Sequence, residues 1–330
     1  MKEYPSIPRA EDAPDRLLEG GHLWLLEKID GGHLRMQLRE SGLIRFGDRN
    51  RVYEDAEEIP VEYRHAVRHV RENLDREALR AAVDDVEDVV LFGEATYRNA
   101  IDYEWDRIPP FLGFDVWSDE AGAFRPPDAV ESIFEALGLD PVNAIEREVR
   151  ARDFDPGSYA IPKSEWYDGP AAGVVIRNKS GDRAAMVHPK LEAIDASEAS
   201  EGSETTGTSN AAGEAETTGE TETSGESTPS RGSSDGSPEE RPDEVIGRYV
   251  SDDRLERTAT RIAERGEPVT VEALTERVLE RVLRETTLHR EGHGGRGTDG
   301  RSSGGAGRAD AISCEELRDT VTERAVRFLG

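Results

Sequence analysis

The sequence predicts an α+β fold for its first 194 residues, where short apolar strands bounded by Gly, Asp or Pro are interspersed with helical stretches. A second observation, three amphipathic helical patterns after a tract almost without apolar residues, adds a small all-helical C-terminal domain. The candidate strands in chain order are HLWLLEKI from His22, HLRMQL from His33, DVVLFGEAT from Asp88, FLGFDVW from Phe111, AGVVIRN from Ala172 and RAAMVH from Arg183. Each is short and rich in Val, Ile, Leu or aromatic residues, and such strands pair most simply as antiparallel sheets. The first helix spans Arg64 to Val83, with Ala66, Val67, Val70, Leu74 and Leu79 at helical spacing. PPDAVESIFEALG opens on prolines and ends at glycine, and PVNAIEREVRA follows as a further helix.

The charges divide the chain in three. Residues 1–194 carry 25 basic and 40 acidic groups, residues 195–242 carry 2 and 12, and residues 243–330 carry 15 and 18. The middle tract is Glu, Thr, Ser and Gly and buries too little to offset its ordering entropy, so it is expected to be an acidic disordered linker. After it, SDDRLERTATRIAERG, VEALTERVLERVLRE and CEELRDTVTERAVRFLG read as helices, with a Gly-rich loop from Gly292 to Gly307 between the last two.

With 42 basic and 70 acidic residues the formal net charge is −28, a balance that ordinarily argues against polyanionic partners. Acid-rich and lysine-poor composition is also that of a halophilic protein, and at about 1 M salt the Debye length falls to ~3 Å, so nucleic acid is not excluded. The single cysteine, Cys314, rules out an intrachain disulfide. The N-terminal MKEYPSIPRAED lacks the apolar core of a secretion signal, and no apolar run approaches the ~20 residues of a membrane span. These features suggest a cytoplasmic protein. The sequence has no Walker loop, dinucleotide fingerprint or CxxC pair.

Lysine occurs only at positions 2, 28, 163, 179 and 190. A chain that otherwise uses arginine keeps an amine at Lys28, in Leu25-Leu26-Glu27-Lys28-Ile29-Asp30-Gly31-Gly32, and an amine, unlike a guanidinium, can lose its proton and attack an electrophile. Taken alone, the stretch also reads as a hairpin turning at Asp-Gly. Downstream, in fixed order, come Gly42-Leu43-Ile44-Arg45-Phe46-Gly47-Asp48-Arg49-Asn50, Leu91-Phe92-Gly93-Glu94, Phe111-Leu112-Gly113-Phe114-Asp115-Val116-Trp117 and Gly173-Val174-Val175-Ile176-Arg177.

This ordered set resembles the covalent nucleotidyltransferase superfamily of ligases and capping enzymes, and most closely its RNA ligase branch. The likeness covers about residues 15 to 192. It implies an ATP-grasp-like ligase domain of antiparallel sheets with packed helices, ATP and Mg²⁺ as cofactors, and RNA ends or nicks as the partner. By the same resemblance Lys28 matches the lysine that attacks the α-phosphate of ATP to give a lysyl-AMP phosphoramidate. Asp30 and Gly31 complete that motif, the glycine letting the backbone turn close to the nucleotide. Arg49, with Arg45, matches the basic position that contacts the nucleotide or the RNA 5′-phosphate. Glu94 matches the acid that holds the ribose hydroxyls, and Phe114 the aromatic that stacks on adenine. The implied reaction passes AMP to a 5′-phosphate end, and a 3′-hydroxyl then displaces it. A DNA ligase or capping enzyme is the less favoured relative, because no OB-type barrel is evident after the catalytic segment.

Two positions depart from the family pattern. Ala172 stands where a metal-binding glutamate is expected, and Ala185 where a lysine neutralises the α-phosphate. Losing two such contacts, at ~3 kcal/mol each, slows the chemistry by about four orders of magnitude unless other groups substitute. The candidate substitutes are Glu165, Asp168, Lys179 and, preferred, Lys190 as a catalytic lysine; without them the chain is a nucleotide- or RNA-end-binding protein with weakened chemistry. His65 and His69 lie four apart, a zinc spacing without the glutamate of H-E-x-x-H, and read more simply as a helix surface. Arg277, Arg281 and Arg284, followed by Arg290, Arg296, Arg301 and Arg308, form either an RNA-backbone tract or, with the interleaved Glu276, Glu280 and Glu285, intrahelical ion pairs.

Overall fold

A computed structural model of the chain describes residues 1–189, 191, 247, 249–287 and 314–330. Lys190, the expected linker, the Gly292–Gly307 tract and Arg290, Arg296, Arg301 and Arg308 lie outside the described residues.

The fold is α+β, with two antiparallel sheets among the described residues. One has the order β7-β1-β8-β9, from β1 (His22–Lys28), β7 (Ala144–Arg150), β8 (Gly173–Asn178) and β9 (Arg183–Val187). The other has the order β3-β2-β4-β5-β6, from β2 (Gly32–Leu38), β3 (Ile44–Gly47), β4 (Val89–Ala95), β5 (Phe111–Ser118) and β6 (Ala123–Phe124). β1 is buried at five consecutive positions, which explains why it reads as a continuous apolar run rather than an alternating one. Its Leu23 and Leu25 pack on Val174 and Ile176 of β8, while Trp24 and Leu26 face the other way, toward Tyr103 and Leu112.

Helices α2 (Arg64–Asn73), α3 (Arg76–Ala82) and α4 (Pro127–Ala136) cover the outer face of the second sheet, where Leu34, Met36 and Leu38 meet Val67, Val70 and Phe134. Each such buried side chain contributes about 2 kcal/mol. The helix predicted over Arg64 to Val83 is broken in two because Asp75 accepts from the backbone N–H groups of Glu77 and Ala78 and starts a new helix.

Two expectations are corrected. PVNAIEREVRA is not a helix: its Ala144–Arg150 portion is β7, an edge strand pairing with β1 through an irregular register. Its Ala, Glu and Arg are good helix formers, but charges also suit an exposed sheet edge, and the free edge of β1 decides the outcome. Lys28 to Gly32 is not a hairpin either, since β1 and β2 belong to different sheets and the chain crosses between them at Ile29-Asp30-Gly31.

At the C-terminal end, α5 (Asp252–Glu264), α6 (Val271–Glu285) and α7 (Cys314–Leu329) enclose their own core of Leu255, Ile262, Leu274, Val278, Val282 and Val321. Among the described residues no helix is long and apolar enough to cross a membrane.

Candidate active site

Lys28 is the last residue of β1 and lies directly across from Gly173 of β8. A Cβ at Gly173 would stand 2.1 Å from the Met186 carbonyl oxygen, so the sheet closes beneath the lysine only with glycine there. The crossing that follows is held from one side. The Asp30 carboxylate accepts from Asn99 Nδ2 at 3.0 Å and from the backbone N–H groups of Ala100 and Ile101 at 2.8 Å each. The Asp30 N–H donates to the Tyr103 hydroxyl at 2.8 Å. Gly31 passes so close to β4 that a Cβ would lie 2.4 Å from the Ala95 carbonyl oxygen. The glycine of the motif is therefore required by the neighbouring strand.

Between the facing sheets lies a pocket of about 300 Å³. It brings together four residues singled out from the sequence: Lys28, Arg49, Glu94 and Phe114. Asp30 and Gly31 stand behind the wall, and Arg45 sits on β3 opposite Gln37, away from the lining. Among the described residues neither the Lys28 amine nor the Glu94 carboxylate makes a side-chain hydrogen bond or ion pair, while the backbones of both pair within the sheets.

The electrostatics of the cavity follow from burial. Glu94 is pushed up to about 7, chiefly by desolvation, with Lys28 and Arg49 pulling the other way. Burial and the cations of Arg49 and Arg35 push His33 down to about 4, so its ring is neutral near pH 7. Glu27 is raised by burial and accepts from Ser164 Oγ at 2.6 Å and the Glu165 N–H at 3.2 Å. Because Glu94 holds its proton more tightly when folded, its contribution to stability is fully present below pH 4.5 and is lost as pH rises through about 7. His33 has the opposite sign, losing stability as pH falls from 6.5 through about 4. Glu94→Gln is therefore expected to remove about 2 kcal/mol of the stability lost between pH 5 and 8, as read by urea unfolding at both pH values.

Several pocket groups carried no signal of their own in the sequence. Tyr4 and Ile7, from the segment preceding α1 (Asp15–Leu18), line the cavity, and Tyr4 packs edge-on to Phe114 with ring centres 5.2 Å apart. The Tyr4 hydroxyl donates to Asp115 at 2.9 Å. Asp115 also receives Arg177 at 3.0 Å and Arg183 at 2.6 Å, and is completely buried. Arg177 and Asp115 lie inside motifs read from the sequence, but nothing in one strand reveals which cross-strand partner it meets.

Of the candidate substitutes for the missing charges, Glu165, Asp168 and Lys179 are not in the pocket lining, and Lys190 lies outside the described residues. Lys163 pairs with Asp168 at 2.5 Å, Lys179 with Glu148 at 2.7 Å, and Glu165 lies 3.7 Å from Arg107, all on the surface and outside the lining. Ala172 is 1% exposed within an apolar cluster. Ala185 pairs with Val175, a lining residue, and so shares its face. Among the described residues no group of three or more His, Cys, Asp or Glu side chains is placed to hold a metal ion. His65 instead contacts the Thr96 carbonyl at 2.8 Å, and His69 contacts Asn73 at 3.2 Å.

For Arg277, Arg281 and Arg284, the described members of the arginine tract, the ion-pair reading holds in part: Arg281–Glu285 is intrahelical, and the other partners lie outside the helix. Arg277 pairs with Glu72 and Glu267 at 2.8 Å, Arg281 with Asp106 and Glu285, and Arg284 is buried. These side chains turn inward to dock α6 on the first part of the chain. They are not free for an RNA backbone.

A family model described as RNA ligase matches residues 21–188. Among solved structures the chain is similar to an archaeal ATP-dependent RNA ligase, with 17% identity, 60% of this chain and 52% of that chain covered, and a TM-score of 0.43. It is also similar to a Naegleria gruberi RNA ligase mutant with ATP and Mn, with 13% identity, 58% and 57% covered, and a TM-score of 0.46. A third is the Naegleria gruberi RNA ligase with PPi, at 14% identity, 60% and 58% covered, and a TM-score of 0.45. The chain thus spans little more than half the length of each of these structures. No curated protein matches it.

Proposed function

Because the chain belongs to the RNA ligase family, we propose that it is an ATP-dependent RNA ligase-like nucleotidyltransferase that forms a lysyl-AMP intermediate on Lys28. The observation that carries this reading is the convergence of Lys28, Arg49, Glu94 and Phe114 on one pocket from separate stretches of sequence. In the proposed reaction the neutral Lys28 amine attacks the α-phosphorus of ATP and pyrophosphate leaves. The Phe114 ring offers a flat apolar surface to adenine, the Glu94 carboxyl group hydrogen-bonds the ribose hydroxyls, and Arg49 offsets phosphate charge. AMP then passes to an RNA 5′-phosphate, and a 3′-hydroxyl displaces it to seal the strand. A divalent cation, Mg²⁺ in the expected case, would supply further charge neutralisation on the phosphates. We place the protein in the cytoplasm of a salt-rich cell, the setting its acidic composition suits.

The second reading, a nucleotide- or RNA-end-binding protein with weakened chemistry, is favoured by Ala172 and Ala185 and by the surface pairing of Asp168 and Lys179, two of the candidate substitutes. Nicked duplex RNA with a 5′-phosphate, ATP and Mg²⁺ in concentrated salt separates the two. Joined RNA supports the ligase. ATP binding without joining supports the second reading, and joining of the matching DNA nick alone contradicts both.

A further inference from the structure

The connection from β4 to β5, residues 96–110, contains no helix or strand, yet it holds the turn that follows Lys28. A loop of this length keeps one shape only if something outside it fixes it. Besides His65 Nε2 at the Thr96 carbonyl and the Glu104 N–H donating to the Trp166 carbonyl at 2.9 Å, a set of fixing contacts that reaches both ends comes from α6. Arg284, 6% exposed, donates through Nε to the Thr96 carbonyl at 3.0 Å, and through Nη2 to Thr96 Oγ1 at 2.9 Å and the Ile108 carbonyl at 2.7 Å. One guanidinium thus ties both ends of the loop, as its planar fork of donors permits. The loop answers through the Arg98 N–H, which donates to the Arg284 carbonyl at 2.7 Å.

From there the path to the pocket is continuous. The Arg284 guanidinium lies 5.3 Å from the Trp105 ring centre, Trp105 meets Tyr103 edge-on at 5.8 Å, and the Tyr103 hydroxyl accepts from the Asp30 N–H. Ala100 and Ile101, on the same loop, grip the Asp30 carboxylate. Glu94 and Phe114 are instead held by the β4–β5 ladder, where Glu94 faces Leu112.

We propose that α6 positions the nucleophile turn through the 96–110 loop, with Arg284 as the positioning residue for Lys28. This rests on reading Lys28 as the nucleophile. It also gives the C-terminal helices a role other than holding RNA.

The test uses the full chain and two readouts, amide hydrogen exchange at Ala100 and Ile101, and the single-turnover rate of label transfer from ATP at varied ATP. Arg284→Gln is expected to speed exchange at both amides at least about tenfold, the effect of losing charge-assisted bonds. It is expected to slow transfer at saturating ATP by up to about a hundredfold while leaving the half-saturating ATP concentration within about twofold, because a displaced attacking group costs rate rather than binding. Arg68→Gln, which removes the Arg68–Glu280 pair of the same docking surface, should change neither readout. Should Arg284→Gln fail to fold, Arg284→Lys, which cannot reach both loop ends, should speed exchange to an intermediate degree. Unchanged exchange in the folded Arg284 variant, or equal effects of the Arg68 variant, would overturn the proposal. If the wild type transfers no label, the exchange readout still decides the positioning role, and the failure falls on the proposed reaction alone.

Discussion

Asp115→Ala is expected to lower the unfolding free energy by about 3–5 kcal/mol, the cost of leaving buried charge without its partner. The carboxylate is wholly enclosed and serves Arg177, Arg183 and Tyr4 together. Its removal strands two guanidinium groups that are themselves buried. Asp115→Asn keeps an acceptor but not the charge and should fall between that variant and wild type. Urea midpoints at matched salt provide the measurement, and a loss below about 1 kcal/mol would show that the backbone carbonyls on Arg177 suffice. The effect reaches the pocket, because Tyr4 and Arg177 line it and Phe114 precedes Asp115 in the chain.

Ala185→Lys is expected to raise covalent labelling with AMP by about a hundredfold, the usual worth of one contact on a developing phosphate charge. The position is half-buried and faces the same way as Val175, which lines the cavity. Ala172→Glu should behave differently. Its site is packed among Leu26, Ile29, Tyr103 and Leu112, so a carboxylate there is desolvated and the folded protein loses stability before any catalytic gain appears. The pair separates two causes of weak chemistry. A rise with Ala185→Lys alone assigns the deficit to phosphate neutralisation, and no rise shows that Arg49 and Arg177 already supply it.

Most strands were legible because their apolar runs are bounded by turn residues, and α4 because Pro and Gly mark its ends. Short-range pattern failed where partners distant in sequence decide the structure. β7 has helix-forming residues but is drawn to the edge of β1. The Asp-Gly after Lys28 looks like a hairpin turn, yet each flanking strand finds a better partner in a different sheet. The site was legible as an ordered set of motifs: Lys28, Arg49, Glu94 and Phe114 do share a pocket. Asp30, Gly31 and Arg45 were expected at the nucleotide and are not in the lining. Tyr4 and His33 were missed because an isolated aromatic or histidine carries no spacing signal. The docking of Arg284 was missed for a similar reason, since a helix face of alternating Arg and Glu looks the same whether it meets water or another part of the protein.

The most direct measurement is the fate of label from α-labelled ATP on the denatured protein, after incubation with Mg²⁺ in concentrated salt. Label on the wild type, mapped to the peptide containing Lys28 and absent from Lys28→Arg, is the predicted result. Label retained by Lys28→Arg, or ATP bound by the wild type with none attached covalently, would contradict the assignment of Lys28 as the nucleophile.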